Sequence, residues 1–153
     1  MTEDDADAKN KPRTVTVLED LRDINRANDI LRNQIRVAKE AKGRAEKRIV
    51  PIEAEARVAI SKMRDEEGKK LYSNDPTRDA AVEELLNGPD QRSKDYQDGK
   101  KTIDELDIEI NIDKNLIEKN LGEWKVLFAE IELLTAQLTA SANRAVVDAI
   151  GDI

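Results

Sequence analysis

The sequence predicts an all-α protein: a long antiparallel helical hairpin of the coiled-coil type with a short connecting helix, self-associating into a bundle. Three observations carry that expectation. Apolar residues recur at alternating steps of four and three along two long stretches. Charged and hydrophobic residues each make up 39% of the 153-residue chain and aromatics only 3%, which suits long helices better than a thick core. Helix breakers are few, with 4 Pro (at 12, 51, 76 and 89) and 6 Gly. Proline removes a backbone donor and clashes with the preceding turn, so its positions mark natural helix limits.

Residues 1–12 carry Glu3, Asp4, Asp5 and Asp7 against Lys9 and Lys11 without periodicity, and read as a flexible acidic tail. A long helix follows over 13–73. Its seam runs Val17, Leu21, Ile24, Asn28, Leu31, Ile35, Ala38, Lys42, Ala45, Ile49 and Ile52, apolar except at Asn28 and Lys42. The register continues through Ala56, Ala59 and Met63, so Pro51 either kinks this helix or opens a new one. Gly68 and the Ser73-Asn74-Asp75 cluster end the segment.

Asp75-Pro76 then starts a connector helix over 74–89. The aspartate oxygen accepts from orphan backbone N–H groups, and proline's missing donor costs nothing in the first turn. Asn87-Gly88-Pro89 stops it. A second long helix spans 90–153. Steps of seven from Tyr96 meet Ile103, Ile110, Ile117, Trp124, Ile131, Leu138 and Ala145, and the companion row is Gly99, Leu106, Asp113, Asn120, Leu127, Leu134, Ser141 and Asp148. Past Val126 only Glu130, Glu132, Arg144, Asp148 and Asp152 are charged, and such an alanine-rich end reads as covered.

Two long helices joined by a short connector fold back on each other. With the turn between 73 and 90, facing residue numbers add to roughly 162. Leu31 then meets Ile131, Ile35 meets Leu127, Ile24 meets Leu138 and Ile52 meets Ile110; Trp124 meets small Ala38, and Lys42 meets Asn120. Leu31, Ile35, Ile110, Ile117, Trp124, Leu127, Ile131 and Leu134 are therefore the expected packing and assembly residues. Further apolar positions, Leu18, Val58, Ile60, Ile112, Leu133 and Val146, ask for a second surface, most simply a second copy. Asn28 and Lys42 are read as register-setting polar groups.

The absences narrow the chemistry. The chain has no Cys and no His, hence no thiolate nucleophile, no imidazole base and no thiolate or imidazole metal ligand. Asp104, Glu105, Asp107 and Glu109 resemble a metal cluster only superficially, because helical di-metal sites draw carboxylates and histidines from several helices. No phosphate-cradling glycine motif occurs. The expectation is no enzyme and no cofactor. An acidic start in place of a basic and apolar leader, and no apolar run near the ~20 residues of a membrane span, point to a cytoplasmic chain without membrane contact.

The net charge is -7, and the one basic part is 11–50 at +5. Arg32, Arg36, Lys39, Arg44, Lys47 and Arg48 form a candidate face for a protein partner or a nucleic-acid backbone. The plainer alternative is that these charges flank a seam whose partner helix is acidic, and no aromatic platform accompanies them.

Leu71-Tyr72-Ser73-Asn74-Asp75-Pro76-Thr77-Arg78-Asp79-Ala80-Ala81-Val82, running into Leu85-Leu86 and the seam of 103–134, resembles small coiled-coil proteins encoded in phage and prophage early regions. The resemblance covers about residues 70–135. The shared pattern is a Tyr-x-Asn turn, a short helix beginning near an arginine, and a long heptad helix ending in an aromatic stretch, here Trp124 and Phe128. It implies a phage or mobile-element context, with the host-cell cytoplasm as location. The expected function is that of a non-enzymatic helical interaction protein, an accessory factor in phage DNA recombination or replication that binds itself and another protein. The alternatives are a DNA-binding protein using the basic first helix, a virion structural or scaffolding component, and an inhibitor of a host defence complex.

Overall fold

The computed structural model describes residues 11–151. The acidic tail expected over 1–12 therefore lies, but for Lys11 and Pro12, outside the described residues. Three helices follow in order: α1 (Arg13–Lys62), α2 (Asp75–Leu86) and α3 (Gln91–Gly151). The long pair, α1 and α3, pack against each other as a helical hairpin.

Helix α1 opens at Pro12, whose carbonyl accepts from the N–H of Val15 at 2.9 Å and of Thr16 at 3.3 Å. Pro51 sits inside α1, so it does not open a new helix. The helix ends at Lys62 rather than continuing to 73. Its backbone is diverted by Asp65, whose carboxylate accepts from the N–H of Glu67 at 3.0 Å and of Lys69 at 2.8 Å. Gly68 turns the chain at φ 78, a left-handed value that glycine adopts without a Cβ clash. Leu71 N–H then reaches the Met63 carbonyl at 3.1 Å, closing a tight hairpin.

The cap of α2 is Asn74, one residue before the expected Asp75. Its Oδ1 accepts from Thr77 N–H at 2.9 Å and from Thr77 Oγ1 at 2.7 Å, while Pro76 occupies the first turn. Asn87 closes the helix, its N–H donating to the Glu83 carbonyl at 3.0 Å. Asp90 starts α3 by accepting from Ser93 N–H at 3.0 Å and Ser93 Oγ at 2.6 Å.

Packing divides the described residues into two units, one of residues 34–112 and one of 11–33 with 113–151. In the first, Ile52, Ala56 and Ile60 of α1 bury against Ala81, Val82 and Leu86 of α2, with Tyr72 and Tyr96 alongside. Ile60, expected to need a second copy, is thus covered by α2. A smaller cluster joins Ala45 and Ile49 to Ile103. In the second unit Val17, Leu21 and Asn28 of α1 are buried beside α3.

The helix pairing departs from the expected alignment. Asn28 bonds to Asn120, Lys42 to Asp107 and Arg92 to Glu55, and Gly99 lies against Ile49. Facing residue numbers therefore add to about 148 instead of about 162, a slip of about 14 residues, which is two heptads. Lys42 does not meet Asn120, and Trp124 lies level with Ile24 rather than Ala38. Ile131 lies level with Val17 rather than Leu31, which is level with Ile117; Ile110 is level with Ala38, not Ile52. A seven-residue repeat looks the same after such a slip, so the apolar seams alone do not choose between the two alignments. The choice falls where α2 occupies the end of α1, so that α3 begins beside Glu55.

Candidate functional site

All eight expected packing residues lie on the inner faces. Ile110 is buried, and Leu31, Ile35, Ile117, Trp124, Leu127, Ile131 and Leu134 are half-buried. Trp124 stacks on Phe128 with ring centroids 4.9 Å apart and planes 10° apart. Its indole N–H is the one buried side-chain polar atom among the described residues that finds no partner.

Two of the polar links between α1 and α3 lie at seam positions. Asn28 is 1% exposed, and its Oδ1 accepts from Asn120 Nδ2 at 2.9 Å, which gives a buried amide oxygen its donor. The Lys42 ammonium donates to both Asp107 oxygens at 2.7 Å, and that hydrogen bond raises its pKa. At the open end Arg13 grips Glu130 through two bonds of 2.6 and 2.8 Å, holding that carboxyl below its ordinary range. Asp90 is likewise lowered, first by the Ser93 hydroxyl and then by the Ser93 backbone N–H. Carboxylates depressed in this way stabilise the fold above the ordinary carboxylate range, and the contribution is lost as pH falls through their lowered values.

The six candidate basic residues are all exposed; Arg32, Lys39 and Arg48 flank the seam of α1, and Arg36, Arg44 and Lys47 lie on its outer side. Arg32 pairs with Asp29 at 2.9 Å and Arg36 with Glu40 at 2.7 Å, both within α1. Lys39, Arg44, Lys47 and Arg48 make no ion pair with any described residue. Lys39 and Arg48 stand at positions that flank the seam, as the flanking-charge alternative has it, but none of these four pairs with an acidic residue of α3 among the described residues.

No three carboxylates among the described residues converge as metal ligands; Asp107 is engaged by Lys42, and Asp104, Glu105 and Glu109 stay exposed. A groove of about 690 Å³ between the three helices of the 34–112 unit is lined by Glu53, Arg57, Asp79, Tyr96 and Lys100 among others. Its most prominent charge is already satisfied, because Arg57 bonds to Asp79 at 2.8 Å and to Glu53 at 3.0 Å.

What the expected seam list missed is the end of α3. From Thr135 to Gly151 every residue is exposed, including Leu138, Val146, Val147 and Ile150. The signal was its low charge, which suggested a covered surface; nothing in the described chain covers it. The slipped register explains why: Lys11, the first described residue, lies level with about residue 137, so α3 runs on for roughly two heptads without α1 alongside. No described helix is long and apolar enough to cross a membrane. Compared with protein-family models, curated proteins and solved structures, the chain matches none.

Proposed function

We propose that this chain is a non-enzymatic helical interaction protein that docks another protein on the exposed end of α3. One observation carries this: the seam that holds α1 and α3 together continues through Leu138 and Ala145 after α1 has ended, leaving Leu138 63% exposed. A helix with an unpaired seam is half of a helix-in-groove or helix-bundle interface. The likeness of residues 70–135 to phage early-region proteins supports a phage or mobile-element setting and an accessory role in DNA recombination or replication. Self-association and a host-cell cytoplasmic location belong to the same proposal.

A photo-cross-linking residue in place of Leu138, introduced in the organism that encodes the chain, tests it. The expected result is one predominant adduct with a second protein species, absent when the cross-linker replaces Glu84 on α2. An adduct pattern the same at both positions would overturn the proposal.

A second reading, direct binding of nucleic acid, is favoured by the four exposed basic residues that make no ion pair with a described residue. Phosphate-driven binding falls steeply with salt, so a DNA mobility shift at ~50 mM that disappears at ~200 mM supports it. No shift at the lower salt rejects it.

A further inference from the structure

Beyond the inner seam, α3 carries a second apolar row. Three- and four-residue steps from Val126 meet Ala129, Leu133, Ala136, Ala140, Asn143, Val147 and Ile150, apolar at every position but Asn143. Val126 lies two residues past Trp124, about 200° around the helix, so this row faces away from α1. The whole row is exposed, with Val126 at 69%, Leu133 at 59%, Val147 at 67% and Ile150 at 65%. Single exposed apolar residues are ordinary, but a row at heptad spacing about 36 Å long is an interface signature. We propose that this outer row binds a second copy of the chain, with the two α3 ends antiparallel. The proposal rests on the reading of the α3 end as an assembly surface and names one of its occupants.

The residues of the row identify the occupant. Residues 1–10 offer little to cover it, since only Met1, Ala6 and Ala8 among them are apolar and they carry a net charge of -3. A membrane surface would call for a basic rim, and Arg144 is the one Lys or Arg between 126 and 151. An antiparallel second copy fits on three counts.

First, the layers match: Val126 meets Ile150 of the second copy, Ala129 meets Val147, and Ala136 meets Ala140, so small residues sit at the centre where the backbones approach. Asn143 opposite Leu133 is the one mixed layer. Second, Glu130, Gln137 and Arg144 share one edge of the row. Antiparallel pairing brings Glu130 of each copy, whose carboxylate Arg13 of the same chain also holds, near Arg144 of the other and the two Gln137 side chains together on the two-fold axis, whereas parallel pairing leaves Arg144 beside Thr139. Third, the stretch of each α3 that lacks α1 comes to lie on the part of the other α3 that α1 supports.

A helix about 10 Å wide over that length presents a footprint of roughly 400 Å² per copy. Stable interfaces bury about 800 Å² per partner, so the expected dimer is weak and reversible, with a Kd in the micromolar range.

Sedimentation equilibrium of the full chain from about 1 to 300 µM should show monomer and dimer in exchange. Leu133→Glu with Val147→Glu changes two exposed positions; helix content and melting of the monomer should persist while the dimer weakens at least ~10-fold. Arg144→Glu, at a third exposed position, should weaken it several-fold by placing like charges together. Because the chain has no cysteine, orientation can be read by oxidising Ala129→Cys chains mixed with Val147→Cys chains: the mixture should form disulfide dimers and each variant alone should not. A monomer throughout, an unchanged dimer in the charged variants, or ready disulfides in each variant alone would overturn the proposal. None of these outcomes alters the cross-linking expected at Leu138, which faces the other way, so the docking of another protein at Leu138 and the dimer through the outer row fail separately.

Discussion

Gly43 and Gly99 show how the same residue type in the same kind of position has opposite meanings. Both lie inside long helices, where glycine is less favourable than alanine by about 0.5–1 kcal/mol. A Cβ at Gly43 would meet nothing within 4 Å, whereas one at Gly99 would overlap Cγ2 of Ile49. Gly43→Ala should therefore stabilise the protein by about 0.5–1 kcal/mol. Gly99→Ala should destabilise it by about 1–3 kcal/mol, because the helices would have to separate or Ile49 leave its rotamer. Urea midpoints of the two variants moving in the same direction would contradict this account. The difference is invisible in the sequence, where both are isolated glycines in heptad segments; only the alignment of α1 with α3 puts Ile49 against Gly99.

At the level of elements, the inner faces were legible and their alignment was not. Periodicity named Ala45, Ile49, Ile103 and Ile110 as inward-facing, and they are buried. Alignment depends on features that occur once instead of every seven residues: the Asn28–Asn120 bond, the Lys42–Asp107 pair, and α2 packed on Ile52, Ala56 and Ile60. The last was hard to anticipate because the end of α1 shows the same seam whether α2 or α3 covers it. The Asn74 cap was missed for a more local reason, since Asn74 and Asp75 are both good caps and only the bond to Thr77 decides between them.

The buried amide pair has a measurable role at this scale. Asn28→Ile alone leaves the half-buried Asn120 amide without its partner and should lower stability by about 1–3 kcal/mol. Asn28→Ile with Asn120→Leu removes both polar groups and should raise the melting temperature above that of the parent. Thermal melts of the two variants check the pair, and a double variant less stable than the single one would contradict it.

For the whole molecule, the consequence of the slip is an α3 that outlasts its companion. A helical segment of about 14 residues without packing is marginal in water. Amides of 138–150 should therefore exchange faster than those of 103–134 in dilute solution and slow markedly as concentration rises. Equal, concentration-independent protection along α3 would show that its end is held within a single chain. The composition had already marked this stretch as unlike the rest, through its scarcity of charge, but no property of one chain's sequence says whether such a surface is met by its own helices or by another molecule.

The aromatic residues, so few that they first served only to exclude a thick core, are distributed in a useful way. The single tryptophan, Trp124, belongs to one packing unit, while both tyrosines, Tyr72 and Tyr96, belong to the other. Indole fluorescence excited at long wavelength therefore reports on residues 11–33 and 113–151 alone, and the tyrosine contribution to near-ultraviolet absorbance, once that of the indole is subtracted, reports on residues 34–112. The protein carries a separate natural chromophore for each half of its packing, so the order in which the halves come apart can be followed without any label.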